Sequence, residues 1–267
     1  MRRSAGTGAL LVASGVLGIG GYAVLGSTFG WPAVLDEPGT SALDAFVDAQ
    51  AWVRFGFYLF LLSSLVLIPA AIGLSDDLAP DSTAGRSVAA FGVLGAFAQL
   101  LGWVRWPIAV PGLADAWTDP TATATQREAT AAAYDVLNGY AGGALGEHLG
   151  WLLQGIWAVA VAVLLLRSRR VPRWFAGLGI ALAGGWALTV PPATAIGLET
   201  LELVGLTVYS LWYLWLVALG ALLVRRPRGG AGQEARSRPG QEGGAAADGG
   251  GAASAARSRP PSSAVHA

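Results

Sequence analysis

Three residues in this apolar chain stand where they could do chemistry: Arg105, Glu147 and His148. The first lies in Gly-Trp-Val-Arg-Trp-Pro (102–107), the other two in Gly-Gly-Ala-Leu-Gly-Glu-His-Leu-Gly-Trp (142–151). An arginine steadied by a glutamate can hold an anionic group through charge-assisted hydrogen bonds. A glutamate that titrates inside a membrane can instead relay protons. An acid/base pair of Glu147 and His148 is a weaker reading, because adjacent helical positions point about 100° apart and do not share a face. His148 is the only histidine outside the C-terminal stretch that carries His266, which rules out an intrachain bis-histidine haem and makes a zinc site improbable. His-Glu-x-x-His, Gly-x-Ser-x-Gly and Walker-type motifs are absent. No cofactor, no metal site and no catalytic residue is expected. Ser63 and Ser64 read as bonded to helix carbonyls and not as nucleophiles.

The elements that position these residues must be membrane helices. The 267 residues are 54% hydrophobic and 13% charged, about half the charge of an ordinary soluble domain. Seventeen basic and seventeen acidic residues cancel, so nothing draws the chain to nucleic acid. Every basic residue is arginine, and there is no cysteine, which excludes disulfides, thiolate catalysis and iron–sulfur clusters.

A span needs about twenty apolar residues to cross a ~30 Å hydrocarbon core. Six runs qualify: residues 8–25, 52–74, 88–110, 145–166, 174–190 and 203–224. The first follows Arg2 and Arg3 and reads as a retained signal-anchor, since cleavable apolar regions are shorter, roughly 7–15 residues. Arg2 and Arg3, Arg86, the group Arg167 to Arg173, and the group Arg225 to Arg228 fall on alternate sides of successive spans. The other loops are acidic. The arginine bias therefore places both termini in the cytoplasm and the protein in the cytoplasmic membrane.

Two helical excursions are expected outside. One starts near Ala42, with Ser41-x-x-Asp44 as a capping-box-like signal, and runs into the second span. The other starts at Asp119–Pro120 as N-cap and first helical residue and reaches about Asn138, after which Gly139, Gly142 and Gly143 loosen the chain. Pro69 should kink the second span, Pro107 and Pro111 bend or end the third, and Pro191–Pro192 close the fifth. Trp31, Trp52, Trp103, Trp106, Trp117, Trp151, Trp174 and Trp186 lie near span ends, as an aromatic belt would. Trp212 and Trp215, with Tyr209 and Tyr213 at helical spacing, read as packing or lipid contact. Residues 229–267 are rich in Gly, Ala, Ser, Pro, Gln and Arg and read as a disordered cytoplasmic tail, with the transmembrane domain in residues 1–228.

At ~1.5 Å of rise per residue, four charges reach one level. Arg105 is about 28 Å from Arg86, Glu147 about 30 Å from Arg167, and Glu202 and Arg54 about 33–35 Å from their inner boundaries. They form an outer collar, with Asn138, Tyr140 and His148 beside it. The bland reading is a structural ion pair, Arg105 with Glu147 or Glu202, while Arg54 reaches lipid phosphates. Gly142, Gly146 and Gly150 recur every four residues and let another helix approach closely. Glu147, Trp151 and Gln154 share a face at i, i+4 and i+7, and Gln154 carries that polar face deeper.

At Gly-Trp-Val-Arg-Trp-Pro (102–107) with Val110-Pro111-Gly112-Leu113, and at Tyr140 through Gly-Glu-His-Leu-Gly (146–150), the chain resembles an uncharacterised bacterial family, the domain of unknown function numbered four-three-eight-six. The likeness covers about residues 5–224. It implies an integral membrane protein of about this span count and no assigned activity.

The expectation is an all-α, six-span integral membrane bundle with two outer helical excursions. Its leading function is non-enzymatic: a sensor or accessory protein with an outward-facing pocket for a small polar or lipid-like ligand, built from Arg54, Arg105, Glu147, His148, Trp151, Gln154 and Glu202. The alternative is a proton-coupled permease in which Glu147 titrates and Gln154 extends the path inward. An intramembrane enzyme is a distant third. The expected partners are the bilayer and such a ligand, and the glycine-rich faces are also compatible with a homo-oligomer.

Overall fold

The computed structural model describes residues 2–196 and 198–225, with the side chains of 2, 3, 191–195 and 199–203 left aside; the expected tail and His266 lie outside the described residues. Those residues form helices and short connections with no strand. In order they are α1 (Arg2–Thr28), a 3-10 turn (Ala33–Asp36), α2 (Gly39–Leu78), α3 (Thr83–Trp103), α4 (Arg105–Ile108), α5 (Val110–Thr118), α6 (Ala124–Leu137), a π-helix (Asn138–Leu149), α7 (Gly150–Ser168), α8 (Arg173–Ile196) and α9 (Glu199–Arg225). Five described segments are long and apolar enough to cross a membrane: Ser4–Thr28, Gly39–Leu78, Thr83–Thr118, Ala124–Ser168 and Val204–Arg225. This is the architecture of an integral membrane protein.

The long helices pack in a closed ring: α1 on α2, α2 on α3, α3 on α7, α7 on α8, α8 on α9, and α9 back on α1. Small residues let these neighbours meet. A Cβ on Gly8 would sit 2.6 Å from the Gly220 carbonyl, and one on Gly220 would sit 2.6 Å from the Gly8 carbonyl. Backbones that close gain van der Waals contact, the main attraction available where lipid is as apolar as leucine. The ring encloses two apolar clusters. One is built around Trp157, Trp186 and Trp212; the other, nearer the connections after α1 and α5, around Phe46, Phe57, Trp103 and Trp106.

Several local expectations are corrected. The second excursion does not start at Asp119. Its N-cap is Thr123, in a capping box with Gln126, while Asp119 accepts from the Thr121 backbone N–H (2.8 Å) and hydroxyl (2.7 Å). Nor do the glycines loosen the chain before α7. Residues 138–149 continue as π-helix, so α6 and α7 join into one rod from Ala124 to Ser168. The first excursion begins at Gly39 after Pro38, and the non-helical dihedrals in α2 are at Ala49 (φ −124°, ψ 22°), not at Pro69. Asp44 is no cap; it accepts from the Trp117 indole at 2.7 Å and ties α5 to α2. α8 runs past Pro191 and Pro192 to Ile196. The aromatic belt is thinner than expected: Trp52 and Trp174 are exposed, but Trp103, Trp106, Trp151 and Trp186 are buried in the bundle.

Candidate functional site

Arg105 opens α4, the short helix between two interruptions of the third span. The helix assignment breaks at Val104 and Ala109, although both keep right-handed helical dihedrals. Pro107 and Pro111 lack the N–H groups that would continue the ladder, so the span is interrupted near its prolines and still runs on to Thr118. Arg105 is 4% exposed. Its Nη1 donates to the Gly102 carbonyl at 2.6 Å and its Nη2 to Asn138 Oδ1 at 2.9 Å. The Asn138 amide then donates to the Leu35 carbonyl at 3.2 Å, so this one side chain links the guanidinium to the 3-10 turn. The guanidinium carbon lies 5.3 Å from the Trp106 ring centre, and that indole stacks on Phe57 at 4.5 Å. Glu147, half-buried on the π-helix, attracts Arg105 through space.

The glycines every four residues on the Asn138–Ser168 rod each face a different feature of the third span. A Cβ on Gly142 would strike the Arg105 guanidinium, one on Gly146 would lie 3.0 Å from the Gly102 Cα, and one on Gly150 would lie 2.8 Å from Gln99 Cγ. The π-helix holds this register. Its wider turn is rare and recurs at functional sites, and here it carries Asn138, Glu147 and His148 along the side of α3.

Of the seven residues expected to build one site, the structure does not gather all. Arg54 is exposed on α2, and the Glu202 side chain lies outside the described residues. Glu147 and His148 are half-buried. Trp151 and Gln154 are buried in a second polar group, one that Arg105 does not join.

That second group was missed in the sequence. Gln99 Nε2 donates to Gln154 Oε1 and, at 3.5 Å, to the Tyr209 hydroxyl. The Tyr209 hydroxyl also donates to Gln154 Oε1 at 3.2 Å and lies 3.2 Å from the Tyr213 hydroxyl. Ser63 is a side-chain partner of Tyr213. Ser63 and Ser14 donate to each other's backbone carbonyls at 2.8 and 3.0 Å, so Ser63 bonds a carbonyl as expected, but of α1 and not of its own helix. The chain of hydrogen bonds crosses α3, α7, α9, α2 and α1. Gln154 and the Tyr209/Tyr213 pair were visible in the sequence; the unread signal was Gln99, a second amide in the middle of an apolar run.

Beside this group lies a cavity of about 230 Å³. Its wall comes from α1 (Gly18, Ile19, Tyr22), from Trp31 after α1, from Phe60, Trp103 and Trp151, and from α9 (Tyr209, Ser210, Tyr213, Leu214). Ile19, Tyr22 and Leu214 are also exposed on the outside of the ring, which puts the mouth between α1 and α9. Gly18 keeps the wall thin there, since a Cβ would lie 2.6 Å from the Tyr213 ring.

A family profile described as a domain of unknown function (DUF4386) matches residues 7–220. The chain belongs to that family. The match takes in α1 through most of α9 and both motifs that carried the resemblance. No curated protein and no solved structure matches. In this DUF4386 member the motif residues Trp103, Arg105, Trp106, Glu147 and His148 fall on α3, α4 and the π-helix, around the junction that sets Arg105.

Proposed function

We propose that this DUF4386 protein spans the cytoplasmic membrane six times, with α8 as the fifth span and both termini inside, and binds a lipid-like ligand as a sensor or accessory subunit. The span count rests on the apolarity of residues 174–190, and the orientation on the arginine bias. The binding reading rests on one observation: the cavity of about 230 Å³ whose wall is aromatic and aliphatic and whose mouth lies between α1 and α9. Apolar, concave spaces with a few convergent polar groups are what ligands occupy. A mouth on the lipid-facing side of the ring admits molecules already dissolved in the bilayer. The expected ligand site thus moves from the Arg105 collar to the space beside Trp151 and Gln154. Arg105, held by Gly102, Asn138 and Glu147, is a structural fastener of the outer helices.

The test is photo-crosslinking in nanodiscs with a hydrocarbon-chain diazirine probe. Labelling should concentrate on α1 and α9 peptides around Ile19 and Leu214. Ala23→Trp, which fills the cavity from α1, should cut it several-fold. Labelling spread evenly over other exposed apolar faces, such as those of Leu94 and Phe97, and indifferent to Ala23→Trp would overturn the reading.

A further inference from the structure

The starts of α3 and α8 and the ends of α7 and α9 lie at one face of the ring, because neighbouring helices there run in opposite directions. Close contacts fix the register: Gly95 meets Gln154, Gly155 meets Ala187, and Gly179 meets Trp215. The face carries Arg86, Arg167, Arg169, Arg170, Arg173 and Arg225. Its acidic residues, Asp76, Asp77 and Asp81, all belong to the end of α2 and the connection to α3. From His148 to Leu198 the chain has no acidic residue. The charge of this face is therefore lopsided, and its cations concentrate where α7 turns into α8.

That turn is fixed in shape. Arg169 closes α7 in the left-handed conformation (φ 52°, ψ 26°), a place that glycine usually takes. Val171 is buried in the apolar cluster around Trp157, and the Pro172 carbonyl receives the Phe175 N–H at 3.0 Å. The Phe175 ring stacks on Trp215 at 5.3 Å, and the Phe175 carbonyl accepts from that indole at 3.0 Å, which ties the start of α8 to α9. Arg167, Arg169 and Arg173 stand exposed on this frame, with Arg170 half-buried between them. Among the described residues, none of these four side chains has a hydrogen-bond or ion-pair partner. Like charges held this close repel one another, and an anion between them relieves the repulsion. Guanidinium groups match phosphate oxygens with a planar fork.

The residues that follow say which phosphate fits. Trp174 is 70% exposed, and Leu178, one turn further along α8, is 43% exposed. An indole beside cations at the end of a span is what the headgroup level of a bilayer selects, and the apolar face that continues from it suits an acyl chain. We infer that the turn between α7 and α8 binds an anionic phospholipid, its phosphate on Arg167, Arg169 and Arg173 and its chain along Trp174 and Leu178. A zwitterionic lipid brings an ammonium group to the same arginines and is disfavoured. This site is separate from the cavity between α1 and α9, and neither depends on the other.

The test is native mass spectrometry of the full chain released from nanodiscs of phosphatidylglycerol and phosphatidylethanolamine, equal in amount and matched in chains. The wild type should retain phosphatidylglycerol several-fold over its competitor. Arg167→Gln combined with Arg173→Gln should abolish that preference. Arg167→Lys combined with Arg173→Lys keeps the charge that orients the spans but loses the planar fork, and should weaken the preference by a smaller factor. Arg54→Gln combined with Arg86→Gln removes as much charge away from the turn and should leave it unchanged. All six substitutions are at exposed side chains, and size-exclusion chromatography shows that each variant is folded. Equal retention of the two lipids by the wild type, a preference unmoved by both pairs at the turn, or an equal loss in the Arg54 and Arg86 pair overturns the site. Excess inorganic phosphate added before release should not strip the bound lipid. If it does, the arginines hold a soluble phosphate, and the assignment to phospholipid falls.

Discussion

The DUF4386 protein buries two polar groups of opposite character. The one at Arg105 is charged, and both ends of its guanidinium are bonded while the buried Nε–H is not. Its guanidinium is aimed at Gly102 and Asn138, flanked by Glu147 and fitted against the missing side chain of Gly142. The one at Gln99, Gln154, Tyr209 and Tyr213 is neutral and sits beside a cavity. A buried charge must be paired almost completely, because a lone ion in a low dielectric costs several kcal/mol. A neutral donor left without a partner costs far less, about 1–3 kcal/mol.

Substitutions can break this contrast, the largest effect first. Gly142→Leu drives a side chain into the Arg105 guanidinium and separates the π-helix from α3. Overpacking of this kind costs about 1–3 kcal/mol, and displacing the cation adds more, so the variant should yield little monodisperse protein on size-exclusion chromatography. Arg105→Ala leaves the Gly102 carbonyl and Asn138 Oδ1 without their donor and should lower stability by about 1.5–3 kcal/mol, read from unfolding in detergent. Arg105→Lys should recover only part of that, since an ammonium cannot reach Gly102 and Asn138 with one planar fork. Asn138→Ala removes the link to Leu35 and exposes the Arg105 donor, for about 1–3 kcal/mol.

On the neutral side, Tyr209→Phe should cost only about 0.6 kcal/mol, the average of hydrogen bonds between membrane helices. A loss as large as that of Arg105→Ala would show that the second group is structural too. The smallest effect is at Asp119, outside the spans. The Thr121 backbone N–H and hydroxyl, both donating to it, hold its carboxyl below the ordinary carboxylate range. A depressed carboxyl contributes stability that is fully present above its unfolded pKa and is lost as pH falls through the folded value. The protection factor of the Thr121 amide, its exchange rate corrected for the intrinsic pH dependence, should therefore hold at neutral pH, fall only in acid, and lose that dependence in Asp119→Asn.

Much of the frame was legible along the chain. The apolar runs, the prolines at 107 and 111 and the four-residue glycine spacing foretold where helices pass, are interrupted and touch, because each is a local property. The caps were less well read. Thr123-x-x-Gln126 is as clear a capping box as any in the chain, yet Asp119–Pro120 drew the boundary four residues early. The continuity of 138–149 was illegible for a different reason. Glycines signal a loosened chain unless neighbours hold them, and here Gly102, Gln99 and Arg105 do so from another helix. The ruler put the outer charges at one level, but level is not direction: Arg54 is exposed and Arg105 buried.

The sequence by itself determined an all-helical membrane chain, because hydropathy and helical spacing act within one helix. The tertiary structure decided which of those side chains meet. Gln99 and Gln154 are 55 residues apart, and Gln99 and Tyr209 are 110 apart; their meeting depends on the rotation of α3, α7 and α9 about their own axes. That rotation follows from small-residue contacts between helices, which no single helix specifies. The cavity between α1 and α9 arises at the same level, from what the packed ring leaves unfilled.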